Sequence, residues 1–184
     1  SDLEYIARIR AAEASIYMYH TRLNGYDCFS IKSPNGIQSY GEVLAWNSTG
    51  KFIPGIEQWY GEIADWVGKT GGETGHYTQM IDPDNTYVGL ATFINPNGIP
   101  TTTAGEYSFQ KNLDESAGPA IANCIQTVEV KTDKITTGIT ALKNSLAANS
   151  SVQAAFKIAI HGYKAEPLGT VSWKSSDTTS ATVD

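Results

Sequence analysis

Cysteine is scarce in this chain: Cys28 and Cys124 are the only two, far apart and outside any close spacing that holds a metal. They leave open a single long-range disulfide or two inert buried thiols. Long apolar runs are also missing, since no stretch approaches the ~20 residues that cross a bilayer, and a transmembrane segment is not expected. Positive charge is in deficit, with 13 basic against 19 acidic residues and a formal net charge of -6. No extended cationic surface for a phosphate backbone follows from that balance, so a nucleic-acid partner is not expected. The sequence has no Gly-x-Ser-x-Gly elbow, no His-Glu-x-x-His helix and no Gly-x-x-x-x-Gly-Lys loop, which removes three common hydrolase and nucleotide chemistries. What remains is 184 residues, 41% hydrophobic, enough to bury one solid core or two small ones.

Ser1-Asp2-Leu3-Glu4 reads as a capping box, and Leu3, Ile6, Ala7, Ala14 and Met18 recur at helical spacing, predicting a helix from Leu3 to about His20, before Asn24-Gly25. Tyr40 to Trp46 is too short for periodicity to assign. Pro54-Gly55 opens a second helix, with Ile56, Trp59, Tyr60, Ile63, Trp66 and Val67 on one face. Glu62 borders that face, and partial desolvation there is expected to raise its pKa. Gly68 to Gly75 reads as a flexible connection, His76 to Ile81 as extended chain and Tyr87 to Ile94 as a strand. Thr101 to Thr103 and Tyr107 to Phe109 suggest another strand. Helix, helix, then strands is the order of an α+β layered domain.

Beyond Cys124 the texture changes. Val128, Val130, then Val152, Ala154, Phe156, Ile158 and Ile160 alternate with other residues, the period of a half-buried antiparallel strand. Val171, Trp173, Ala181 and Val183 suggest further short strands, Ile139 to Asn149 reads as a loop or a helical insert, the loop being favoured, and the whole fits a β-sandwich. A boundary near residue 126 divides the chain into domains 1–126 and 127–184.

Four segments in order carry a resemblance. They are Arg10-Ala11-Ala12-Glu13 with His20-Thr21-Arg22-Leu23-Asn24-Gly25 and Cys28-Phe29; Gly41-Glu42; Trp59-Tyr60-Gly61-Glu62-Ile63; and Gly75-His76-Tyr77-Thr78-Gln79-Met80-Ile81 with Tyr87-Val88-Gly89-Leu90-Ala91 after it. Together they resemble the CAP superfamily of cysteine-rich secretory, antigen five and pathogenesis-related (SCP-like) proteins. Leu23, Val43 and Asp82 depart from that pattern, standing where proline, asparagine and tryptophan are usual. The tail, Gly169 to Asp177 and Ala181 to Asp184, resembles a group 2 bacterial Ig-like domain. These likenesses imply a CAP-type α-β-α sandwich followed by an Ig-like all-β segment that stops short of a full sandwich, with an extracellular address, secreted or at a bacterial cell surface.

The CAP likeness also implies that His20, Glu42, Glu62 and His76 line one wet cleft. In one use, His20 and His76 bind a divalent metal, Zn²⁺ by the chemistry of imidazole ligands, while Glu42 and Glu62 orient them. In another, Glu42 and Glu62 are catalytic carboxylates that work with an imidazole to activate water. In a third, each His–Glu contact simply ties helix to strand, because unpaired buried polar groups are costly. The expected function is a binding module for a divalent ion and a small ligand or surface partner, its Ig-like segment mediating surface or protein contacts. The alternative is a metal-assisted hydrolase of peptide or cell-wall material. Cys28 reads as structural, and His161 as a solvent-facing bystander.

Overall fold

The protein is described here by a computed structural model covering residues 1–95, 101–116, 125–141, 145–167 and 169–183. It divides into two units, Ser1–Lys131 and Thr132–Asp184.

In the first unit the helix α1 spans Asp2–Ala14 and opens on the expected capping box: Ser1 Oγ accepts from the Glu4 N–H and the Glu4 carboxylate accepts from the Ser1 ammonium at 2.8 Å. The helix stops six residues before His20, earlier than its periodicity predicts. The Ser15 hydroxyl donates back to Ala12 O at 2.7 Å, and Arg10 Nη2 donates to the carbonyls of Tyr19 and His20 at 3.0 and 3.1 Å. A buried guanidinium thus folds the following chain back across the helix, a long-range contact that local propensity does not register.

Three strands follow: β1 (Gly41–Asn47), β2 (Tyr87–Ile94) and β3 (Thr101–Ser108), antiparallel in the order β1-β3-β2. The expected strand from Tyr87 to Ile94 is there, and the two fragments around Ala104 are one strand. All eight residues of β3 are buried, because β3 is flanked by strands on both edges and by helices on both faces. On one face α1 sets Ala7, Ala11 and Ala14 against Leu44 and Ala104. That approach is close enough to demand glycine at position 89, where a Cβ would stand 2.2 Å from the Leu3 carbonyl carbon. On the other face Trp59 packs with Val43, Ala45 and Tyr107, with Ile56, Met80 and Leu90 beside them. Helix, sheet, helix is the three-layer α+β arrangement expected.

The second expected helix is two: α2 (Ile53–Gly61) and α3 (Ile63–Gly68), broken at Glu62. Only Trp59 of its large predicted face reaches the core fully. Tyr60, Trp66 and Val67 are exposed, so the apolar stripe read from the sequence turns away at the break. His76 to Ile81 is not extended but lies in a helix, α4 (Gly75–Ile81), whose Met80 packs on the Trp59 cluster. Its cause is the Glu62 carboxylate, described below.

The second unit holds β4 (Ile135–Ala141), β5 (Ala154–Ile160) and β6 (Tyr163–Ala165) in one antiparallel sheet ordered β4-β5-β6. The alternation read from the sequence appears in β5, where Phe156 and Ile158 are half-buried and Ala155 and Lys157 exposed. Ile139 to Ala141 belong to β4 rather than to a loop. Val128 and Val130 are not in a strand, and Val128 packs instead on the Leu3, Ile6, Ile9 and Ile31 cluster of the first unit. Val171, Trp173, Ala181 and Val183 lie outside any strand, and the second sheet of a sandwich is not found among the described residues. Among the described residues of this unit, one short sheet offers no second sheet to bury them against. His161 is half-buried at the β5–β6 turn, with a left-handed φ of 48°, and its N–H donates to Lys134 O at 2.9 Å.

Candidate functional site

The four candidate residues form two histidine–glutamate pairs. His20, in the bend after α1, has Nδ1 2.6 Å from Glu42 Oε1; His76, in the first turn of α4, has Nδ1 2.5 Å from Glu62 Oε1. Glu42 projects from the face of β1 that α1 covers, whereas Glu62 and His76 belong to the helical layer on the other face.

Glu62 stands at the joint of α2 and α3, and its other oxygen accepts the backbone N–H groups of His76 and Tyr77 at 2.9 and 3.0 Å. Those are orphan donors of the first turn of α4, whose own N-cap, Thr74, makes no side-chain cap. A carboxylate fourteen residues upstream therefore starts the helix. Partial burial pushes the Glu62 carboxyl up, but the bonds from His76 and from the Tyr77 N–H outweigh it and hold the group below the usual carboxylate range. That reverses the expected shift, because desolvation alone leaves out the donors that the fold supplies.

Glu42 anchors a larger network. Arg10 Nε donates to Glu42 Oε2 at 2.5 Å and Arg10 Nη1 to Glu13 Oε2 at 2.7 Å, while Arg22 Nη2 donates to Glu13 Oε1 at 2.9 Å. Arg10, Glu13 and Glu42 are all but sealed from solvent. Burial would raise the Glu42 carboxyl, yet the His20 and Arg10 hydrogen bonds hold it below its ordinary value. Reciprocally, the bond to Glu42 raises the His20 pKa above 6.5, with burial opposing. Directly across the ladder from Glu42 sits Glu106, 0% exposed. Neither of its oxygens reaches hydrogen-bond geometry with a described residue. Desolvation first, and the Glu42 charge second, push the Glu106 carboxyl well above the usual range, so it is held as the neutral acid.

Cys28 opens a single 3-10 turn, Cys28–Ser30, capped by Asp27, whose Oδ1 accepts the Phe29 N–H at 2.8 Å. Burial and the nearby Glu42 and Asp27 charges push the thiol far up, which fits the structural reading of Cys28 over a nucleophilic one. Cys124, and with it the question of a Cys28–Cys124 disulfide, lies outside the described residues. Among the described residues, one group of three metal-ligating side chains has its ligand atoms within 4.8 Å of one another: His20, Cys28 and Glu42. The sequence reading placed His20 and Glu42 at the site but not Cys28, Arg10, Glu13, Arg22 or Glu106. Arg10, Glu13, Arg22 and Cys28 lie inside the first quoted segment, where their charge types were the available signal; Glu106 falls between two strand fragments and carried none.

These residues suit a metal in one respect that the geometry supplies. Each imidazole has Nδ1 engaged by a carboxylate, which fixes ring orientation and leaves Nε2 as a donor atom, the arrangement that commonly supports a ligating histidine.

Comparison with known proteins adds three findings. The chain matches the cysteine-rich secretory protein (CAP) family over residues 1–107. It is 34% identical over 92 residues to "Repressed by EFG1 protein 1" of Candida albicans (strain SC5314 / ATCC MYA-2876), a span of 48% of this chain and 34% of that protein, so it covers about a third of the length of this curated relative. No solved structure matches it.

Proposed function

Because this chain belongs to the cysteine-rich secretory protein family, whose members are generally secreted or extracellular, we propose that it is an extracellular SCP-like binding module in which His20 and His76, each oriented by its own glutamate, are ligands for divalent cations. The observation that carries this reading is the pair of carboxylate-oriented imidazoles, His20 on Glu42 and His76 on Glu62. No helix among the described residues is long and apolar enough to cross a membrane. Zinc suits two imidazoles, and with fewer than three protein ligands the affinity is modest and pH-dependent. When bound, the cation would supply a Lewis-acid centre; the protein's own contribution is to hold each ring in one tautomer.

Binding is favoured over hydrolysis of peptide or cell-wall material by the state of the carboxylates. A general base works best with a pKa near the operating pH, and Glu42 and Glu62 are both held below the usual range. They are orienting groups in this reading, not catalytic ones. A pocket of about 520 Å³ is lined by Tyr40, Gln79, Asp82, Asp84, Asn85 and Phe109, none of them a member of either histidine–glutamate pair. The second unit, Thr132–Asp184, enters the proposal as an Ig-like segment that mediates surface or protein contacts.

Calorimetric titration with Zn²⁺ tests the metal reading. The expected result is saturable heat near neutral pH that weakens as His20 protonates; since Glu42 raises the His20 pKa, that weakening begins at higher pH than for a free histidine. Equal heats in wild type and a His20→Ala, His76→Ala double variant would remove it.

A further inference from the structure

We propose that His20, Cys28 and Glu42 form a thiolate-containing site for a soft or borderline divalent ion such as Zn²⁺, independent of His76. It shares His20 with the reading above but not His76, so the two can fail separately.

Three separate elements bring the donors together: the bend after α1, the Cys28–Ser30 turn and the start of β1. One ligand atom from each lies within 4.8 Å of the other two, which is the span of a first coordination shell before it closes on an ion. Nitrogen, sulfur and carboxylate oxygen are all zinc donors, and the presence of sulfur excludes the hard cations Ca²⁺ and Mg²⁺. Arg10 donates to both Glu42 oxygens, to Oε2 at 2.5 Å and to Oε1 at 3.3 Å, so Oε1, bonded also to His20 Nδ1 at 2.6 Å, is the oxygen held less closely by the guanidinium and the one a metal would share. The metal would take the place of the proton between them. Tetrahedral ligands at about 2.0–2.2 Å from zinc stand roughly 3.3 Å apart, so the ring must swing outward by under an ångström. His20 has room to do so, because its side chain is 59% exposed. Its exposure also leaves the fourth position open to solvent.

The buried network beside the site pairs Glu13 and Glu42 with Arg10 and Arg22, and Glu106 lies directly across the ladder from Glu42. On binding, the Cys28 thiol gives its proton to solvent and becomes the thiolate ligand, while His20 keeps a proton on its other nitrogen; one divalent ion enters, one thiol proton leaves, and nothing is oxidised.

Titration of the full 184-residue chain with Co²⁺, under reducing conditions and with Cys124→Ser as the background, tests the site. The expected result is a near-ultraviolet sulfur-to-cobalt charge-transfer band that survives His76→Ala and disappears in Cys28→Ser, with affinity at least roughly tenfold weaker. Cobalt d–d absorption without that band would overturn the proposal while leaving the histidine reading standing; a band lost in His76→Ala would overturn its independence. Cys28→Ala guards against a serine variant that misfolds. X-ray absorption of the zinc-loaded wild-type chain needs no variant: a sulfur shell at about 2.3 Å supports the site, and only nitrogen and oxygen at about 2.0–2.1 Å would overturn it.

Discussion

Glu106 is the residue with the clearest energetic signature. Its burial and the Glu42 charge raise its pKa in the folded state, so the native protein binds a proton that the unfolded chain releases above the ordinary value of 4.5. Where the folded state holds more protons, stability falls as pH rises, here by up to about 1.4 kcal/mol per pH unit between the unfolded and folded values. This contribution is therefore fully favourable below the unfolded value and is lost on the way up to the folded one. Glu106→Gln keeps the shape and removes the titration. In chelator, urea unfolding between pH 5 and 8 should show the variant gaining on wild type as pH rises; parallel curves would mean that Glu106 is ionised in the native state and compensated by a group outside the network.

At the scale of elements, Glu62 does the work that local sequence does not. The amides of His76 and Tyr77 need acceptors, and the only cap among the described residues reaches them from the α2–α3 joint. Glu62→Ala should destabilise by about 1–3 kcal/mol, since bonds to a charged acceptor are lost from a partly buried position. Hydrogen exchange would localise the loss: faster exchange across Gly75–Ile81 with α1 unchanged is expected, and uniform acceleration would assign Glu62 a global role instead. The same contact explains why α4 was hidden in the sequence. A seven-residue helix held by a side chain fourteen positions upstream leaves no capping signal of its own, and Gly75-His76-Tyr77-Thr78 reads equally well as extended chain. By contrast, Tyr87–Ile94 was legible, because a β-rich run bounded by turn residues needs no distant partner to declare itself. The core strand β3 is a harder case. Thr-Thr-Thr-Ala-Gly-Glu is not an apolar run, yet it is buried on both faces because close helix approach selects small side chains. Arg10 and Glu13 were legible as motif residues but not as a sealed pair, since charges on a helix ordinarily read as its solvated face. Of the site, the four histidines and glutamates followed from the family likeness, while the partner of each histidine, and Cys28, entered only once three-dimensional proximity was known.

On the scale of the whole chain, the two units differ in what holds them. The first has three clusters of buried apolar residues, built on both faces of its sheet and beneath the N-terminal half of α1. In the second, no described residue is buried, and its sheet has three short strands, one of them three residues long. A three-stranded sheet needs a buried apolar face for independent stability, and none of the described residues of this unit is buried. Stability measured on the intact chain should therefore report the first unit. Expressed as residues 1–131, a span that keeps Val128 on the Leu3, Ile6 and Ile9 cluster, the protein is expected to melt cooperatively within a few degrees of the full chain, roughly the shift of a ΔΔG under 1 kcal/mol. Residues 132–184 alone should give no cooperative transition by calorimetry. A sharp melt from that fragment would require a buried core that the described residues lack, and would revive the two-sheet sandwich that its sequence suggested; loss of the transition from residues 1–131 would show instead that the first unit leans on the second.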